Sequence, residues 1–138
     1  MGDGNDILIG GLGNDILVGG TGRDFFRTSD GNDEIYMDIG QDTLVFTPGS
    51  DGIDTVYGFT LGQDGDRLLF EPGSVSTGAV DVIVKGQNTE FRRSDGIEDN
   101  AGFGTGEVFF TLMGVRVFNA GFFAFNHDIS SSVTLFYD

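Results

Sequence analysis

Six aspartates recur through the first part of the chain at near-regular steps: Asp6, Asp15, Asp24, Asp33, Asp42 and Asp54. Five of them are nine residues apart, and the sixth follows after three extra residues, Phe46-Thr47-Pro48. Single carboxylates set at a fixed interval do not make an acid–base pair, but they can present hard oxygens to a cation at regular points along a repeating backbone. Calcium takes six to eight such oxygens at about 2.3 to 2.6 Å, from carboxylates and backbone carbonyls alike. The overall charge agrees, since 22 acids stand against 7 bases for a net −15. Such a field attracts cations and disfavours nucleic acid and anionic membrane surfaces, which need clustered Lys and Arg.

The aspartates belong to a longer pattern. Read in nines from Met1, the chain gives MGDGNDILI, GGLGNDILV, GGTGRDFFR, TSDGNDEIY and MDIGQDTLV, and then, after the insert, GSDGIDTVY at 49–57. The fourth place is always Gly (Gly4, Gly13, Gly22, Gly31, Gly40, Gly52), the sixth always Asp, and the eighth always apolar (Leu8, Leu17, Phe26, Ile35, Leu44, Val56). Glycines early in the unit allow the positive φ of a tight turn, and the last three residues suit a short strand, so each nonapeptide reads as a turn followed by a strand. Burying one eighth-place side chain is worth roughly 2 kcal/mol, while ordering nine residues costs on the order of 9 kcal/mol or more. Apolar burial alone therefore cannot fold these units. If two units make one coil, units n and n+2 stack, and their aspartates lie about 4.8 Å apart. A calcium ion fits that gap, and without it two such carboxylates repel by roughly 3 kcal/mol at an effective dielectric of 20.

These units resemble the GGxGxDxUx repeats of the RTX (repeats-in-toxin) family, whose parallel β-roll binds calcium. Units two and three match the motif strictly; the others depart at the first two places, at Met1, Thr28 and Ser29, Met37 and Asp38, and Ser50. The resemblance implies that carbonyls of the second and fourth places and the Asp of one unit face the first and third places and the Asp two units later. Carried over, a first ion lies among Gly2, Gly4, Asp6, Gly19, Thr21 and Asp24, and a second among Gly11, Gly13, Asp15, Thr28, Asp30 and Asp33. A third falls among Gly20, Gly22, Asp24, Met37, Ile39 and Asp42. A fourth, among Ser29, Gly31, Asp33, Gly49, Asp51 and Asp54, requires the insert to bulge out and keep the turns in register. The implied cofactor is calcium, three ions centrally and four at most.

Other readings of the glycine-rich segment fail on its residues. Strict columns argue against a disordered linker. GGLGND lacks the Lys of a phosphate-binding loop, and the aspartate spacing never gives the DxDxDG of an EF-hand. The following stretch, DTVYGFTLGQDGDRLLFEPGS at 54–74, resembles the segment that ends an RTX roll, with Gly58 where that pattern usually has Asp; Asp64 and Asp66 read as solvated turn acids.

Residues 67–138 form the second of two expected regions, after a calcium-binding roll at 1–66. Charge supports the division, at −11 from 13 acids and 2 bases up to Asp66 against −4 from 9 acids and 5 bases after it. The second region reads as short strands, VDVIVK (80–85), EVFFTLM (107–113), VRVF (115–118), FFAF (122–125) and SVTLFY (132–137), packed as a β-rich cap on the end of the roll. The expected fold is all-β, a parallel β-roll followed by this cap. Its many Phe suit core packing; with no Trp and only Tyr36, Tyr57 and Tyr137, a glycan-binding surface is the alternative reading for this half.

Catalysis is not expected. His127 is the only His, and its neighbour Asp128 points to the opposite face of a strand; HExxH, GxSxG and Cys are all absent. Arg92, Arg93 and Lys85 make a basic cluster too small for nucleic acid. No run of 18 apolar residues spans a bilayer. The opening MGDGNDILIGG lacks the plan of a secretory signal, whereas the closing SSVTLFYD is similar to the C-terminal export signals of RTX proteins carried by type I secretion. The resemblance thus implies a calcium-binding module that folds outside the cell, within a larger secreted or cell-surface protein. Its partners would be calcium, the parent polypeptide and the secretion machinery.

Overall fold

The computed structural model describes residues 2–46, 52–60, 65–70, 80–93, 108–115 and 133–137, and every regular element among them is a strand. The last places of the six nonapeptides form β2 (Ile7–Ile9), β3 (Ile16–Val18), β5 (Phe25–Arg27), β6 (Glu34–Tyr36), β8 (Thr43–Phe46) and β9 (Asp54–Tyr57). Odd units pair with odd and even with even, always in parallel. Ile7 lies beside Phe25 and Phe25 beside Thr43, while Ile16 lies beside Glu34. Each step is 18 residues, or two nonapeptides per coil. Glu34 pairs with Thr55, a step of 21, so the three-residue insert leaves the register intact. The fold is a parallel β-roll.

Strand geometry sends alternate residues to opposite faces, and the sixth, eighth and next first places all face inward. Phe26, Ile35, Leu44, Val56 and Leu68 are fully buried along this row. The sequence reading gave each strand one buried residue, at its eighth place; the structure buries the flanking places too. Along the inward first place, residue size grows through Gly19, Thr28 and Met37, with Phe46 next in line, and all four are buried. Larger side chains thus fill the interior as the roll proceeds.

Three sheets result. The odd-unit sheet runs β10-β8-β5-β2, with β10 (Arg67–Phe70) extending it in parallel past Asp66. A small side sheet joins β1 (Gly2–Asp3), β4 (Gly20–Gly22) and β7 (Ile39–Gly40), built from the odd-unit turns. The even-unit sheet continues into the second region, since β9 pairs in parallel with β13 (Val108–Leu112). Beyond β13 come β12 (Asn88–Arg93), β11 (Val80–Lys85) and β14 (Val133–Tyr137).

The strands expected at 80–85, 107–113 and 132–137 are present as β11, β13 and β14. The one at 122–125 lies outside the described residues, as do 116–118 of VRVF. The sequence reading missed β12, whose NTEFRR is too polar to stand out as a strand. Its partner supplies the reason it forms: β11 and β12 are an antiparallel hairpin joined at Gly86-Gln87, with Lys85 opposite Asn88. Gly86 has φ 61°, the left-handed conformation that two-residue hairpin loops require.

Candidate metal centre

The six repeat aspartates form two ladders inside the roll, one from the odd units and one from the even. The Oδ1 of Asp24 accepts the backbone N–H of Asp6 at 2.8 Å, and that of Asp42 accepts the N–H of Asp24 at 2.8 Å. On the even side, Asp33 accepts from Asp15 at 2.9 Å and Asp54 from Asp33 at 3.0 Å. Asp24, Asp33, Asp42 and Asp54 are each no more than 2% exposed. One oxygen of each carboxylate thus ties its coil to the preceding one.

The second oxygen is different. The Oδ2 atoms of Asp15, Asp24, Asp33 and Asp42 are buried without a hydrogen-bond partner. A buried ionised oxygen left unpaired is costly, and a native fold seldom tolerates four in register. The first-place glycines make room for these atoms. A Cβ on Gly10 would stand 3.0 Å from Asp15 Oδ2, and one on Gly19 would collide with Asp24 Oδ2. Orphaned hard oxygens repeating along the ladder fit a calcium ion. Among the described residues no three acidic or imidazole side chains converge, so backbone carbonyls must supply most of the remaining ligands.

The turns bring those carbonyls together unevenly. On the odd side, Gly2 N–H donates to the Gly19 carbonyl at 3.1 Å and Gly4 N–H to the Thr21 carbonyl at 2.8 Å. Gly2, Gly4, Asp6, Gly19, Thr21 and Asp24 therefore lie together, each carbonyl keeping a second lone pair. The next odd pair stacks likewise, Thr21 beside Ile39 and Gly22 beside Gly40, which sets Gly20, Gly22 and Asp24 against Ile39 and Asp42. Met37 is fully buried there. On the even side, Gly13 N–H donates to the Asp30 carbonyl at 2.9 Å, but Gly11 N–H donates to the Ser29 hydroxyl at 2.8 Å. Thr28 is buried beside this turn. For the fourth group, Ser29, Gly31, Asp33 and Asp54 are described and Asp33 meets Asp54; Gly49 and Asp51 lie outside the described residues.

Stacking also explains the invariant fourth-place glycine. A Cβ on Gly22, Gly31, Gly40 or Gly52 would collide with the carbonyl oxygen of the corresponding glycine one coil earlier. At Gly40 this holds without a positive φ. Asp38, at a second place, is the one non-glycine residue with positive φ among those described, at 57°, a conformation aspartate tolerates better than most side chains.

Two features escaped the sequence reading. The fifth places form a second ladder near the surface, where Asn5 Oδ1 accepts from Arg23 N–H at 2.8 Å, Asn14 from Asn32 at 2.9 Å and Asn32 from Ile53 at 2.7 Å. The recurrence of Asn at places five of units one, two and four was the available signal. Asp66, read as a solvated turn acid, is instead only 5% exposed and forms the last rung. Its Oδ1 accepts from Asp42 N–H at 2.8 Å, and its Oδ2 accepts from both the N–H (2.7 Å) and the hydroxyl (3.0 Å) of Thr60. The chain itself satisfies here the oxygen left orphaned on earlier rungs. The 24-residue step from Asp42, outside the nonapeptide count, hid this role. Asp64, Glu107, His127 and Asp128 lie outside the described residues.

Burial shapes the ladder's protonation. Desolvation raises the carboxyl of Asp33, pushes Asp42 up to about 6 and Asp54 up to about 7, opposed by the hydrogen bonds each accepts from the backbone. Neighbouring rungs add repulsion: Asp15 acts on Asp33, Asp66 and Asp24 on Asp42, and Asp33 on Asp54.

Residues 2–17 and 9–44 match the profile of the RTX calcium-binding nonapeptide repeat, in four copies. This segment, about a third of the chain, matches the RTX repeat family. The RTX repeats thus cover the first five nonapeptides, where the orphaned oxygens lie. Among solved structures, the chain is similar to the AlgE6R3 subunit of the Azotobacter vinelandii mannuronan C5-epimerase, with 22% identity over 96% of this chain and 78% of that one and a TM-score of 0.43. No curated protein gives a match.

Proposed function

We propose that this RTX module is a calcium-triggered folding unit within a protein exported through type I secretion. The observation that carries the reading is the row of four buried, unpartnered Asp oxygens, which leaves the roll incomplete without a cation. Calcium, when bound, supplies positive charge shared between the oxygens of two coils. Asp6 with Asp24, Asp15 with Asp33, Asp24 with Asp42 and Asp33 with Asp54 are the carboxylate pairs that would hold three to four ions. The turn carbonyls of Gly2, Gly4, Gly19 and Thr21, and their equivalents at Gly11, Gly13, Thr28 and Asp30, Gly20, Gly22, Met37 and Ile39, and Ser29, Gly31, Gly49 and Asp51, would complete the shells. Residues 1–66 act as the calcium-binding roll and 67–138 as its cap and export region.

The physical logic is location-dependent folding. Cytosolic calcium is scarce, so the acidic chain stays unfolded and threadable; outside, extracellular modules with affinities of about 10⁻⁴ to 10⁻³ M fill and fold. In this reading the module is structural, without catalytic residues of its own. Circular dichroism against calcium concentration tests it, with magnesium as the control, because magnesium demands strict octahedral, water-rich shells. Strand signal should rise with calcium and not with magnesium. Full strand content in excess chelator at neutral pH would overturn the proposal.

A further inference from the structure

The odd-unit sheet carries an unexpected surface. Its outward fifth, seventh and ninth places are Asn5, Ile7 and Ile9, then Arg23, Phe25 and Arg27, then Gln41, Thr43 and Val45, and finally Gly65, Arg67 and Leu69. None of these twelve is acidic. Every acid of the described roll sits elsewhere: the ladder aspartates face inward, Asp3, Asp30 and Asp38 lie in turns, and Glu34 is on the even-unit sheet. Three of the chain's seven bases therefore share one face of a protein whose net charge is −15.

On this face a groove of about 400 Å³ is lined by Arg23, Phe25, Gln41, Thr43 and Arg67, together with Gly65 and the buried Asp24 and Asp42. Phe25, Thr43 and Arg67 follow one another across β5, β8 and β10, so Arg67 stands two strand spacings, about 10 Å, from Phe25. Arg23 and Arg67 make no ion pair with any described residue, in contrast to Arg92, which holds Glu90 at 2.7 Å. The groove thus offers two guanidinium forks, an amide and a hydroxyl between them, and one aromatic ring that is 37% exposed.

We propose that this groove is a docking site for an acidic, partly apolar peptide segment of a partner protein. Guanidinium forks match carboxylates in a bidentate way, so Arg23 and Arg67 can each take an acid of an extended peptide. The neighbouring Ile7 and Ile9, 73% and 59% exposed, extend an apolar strip for the peptide's other side chains. A polyphosphate or an anionic membrane would present a dense charge array to a strongly acidic molecule, with two forks to offset the repulsion. A sugar chain would meet a single Phe where flat polar-edged rings are wanted.

The test is fluorescence polarisation with calcium-loaded protein and a labelled peptide of alternating leucine and glutamate, with lysine replacing glutamate in the control peptide. The glutamate peptide should bind, more weakly at high salt, and the lysine peptide should not. Arg23→Gln and Arg67→Gln should each weaken binding about three-fold, and together about ten-fold, while the calcium-induced strand signal is unchanged. If either variant fails to fold, Gln41→Glu places a repelling charge in the groove without removing a base and should weaken the peptide to a similar degree. Equal binding of both peptides, binding indifferent to all three substitutions, or binding of polygalacturonate or phosphatidylserine vesicles in place of the peptide would overturn the proposal.

Discussion

At the scale of single residues, two properties of the repeat are separable. The fourth-place glycine serves stacking: Gly22→Ala should disrupt the roll even in saturating calcium, because the new Cβ strikes the Gly4 carbonyl. A melt in excess calcium would show the loss. The ladder aspartates serve charge. Asp24 accepts from Asp6, donates to Asp42 and carries an orphaned oxygen, whereas among the described residues the Asp6 carboxylate receives no rung from another coil. Asp24→Ala should therefore lower calcium affinity more than Asp6→Ala in calorimetric titration, and equal losses would contradict the assigned pairing. The outer asparagines add a smaller, metal-independent share. Asn14→Ala removes the acceptor for Asn32 N–H and should cost about 1 kcal/mol in a denaturant melt with calcium present.

At the scale of the element, the ladder's pH response follows from its burial. Asp33, Asp42 and Asp54 are raised by desolvation, the latter two to about 6 and 7, against an unfolded value of 3.8. The folded metal-free roll thus holds more protons than the unfolded chain between about pH 4 and 7, so its stability falls as pH rises through that window. Calcium acts in the opposite sense, since its ligands must be deprotonated. In chelator, strand content should be greater near the acid end of this range than at its neutral end, while calcium should bind more tightly at the neutral end. Circular dichroism at a series of pH values, with and without calcium, reads both slopes. The hairpin of the second region makes an independent prediction: Gly86→Ala, forced to hold φ 61°, should cost about 1 kcal/mol in a denaturant melt.

At the scale of the whole molecule, the even-unit sheet joins the roll to the second region through β9 and β13, while the odd-unit sheet ends among the described strands at β10. The last rung of the ladder is also closed by protein, with Thr60 on Asp66. Calcium dependence should therefore be steepest at the first coils and weakest next to β13. Hydrogen exchange at low calcium should show Ile7–Ile9 and Ile16–Val18 unprotected while the amides of Leu68 and Leu112 keep their protection; uniform protection across the roll would count against this polarity.

The nine-residue columns alone determined that turns and short strands repeat and that their aspartates come at regular points suited to a cation, because a single apolar place per unit cannot fold it; that odd units pair with odd and even with even was a condition of that reading and is fixed by the strand register. They could not show that Asp66 continues the ladder, since its 24-residue step breaks the count and only the pairing of β10 with β8 aligns it. Nor could they show that Arg23, Arg27 and Arg67 share a face, for residues 40 apart in sequence become neighbours only when coils stack. β12 stayed hidden for the same reason: its polar residues become a strand through the hydrogen bonds of β11 and β13 on either side. Local period is written in the chain, whereas which distant rungs meet, and what charge their common face presents, depends on backbone pairing that exists only in three dimensions.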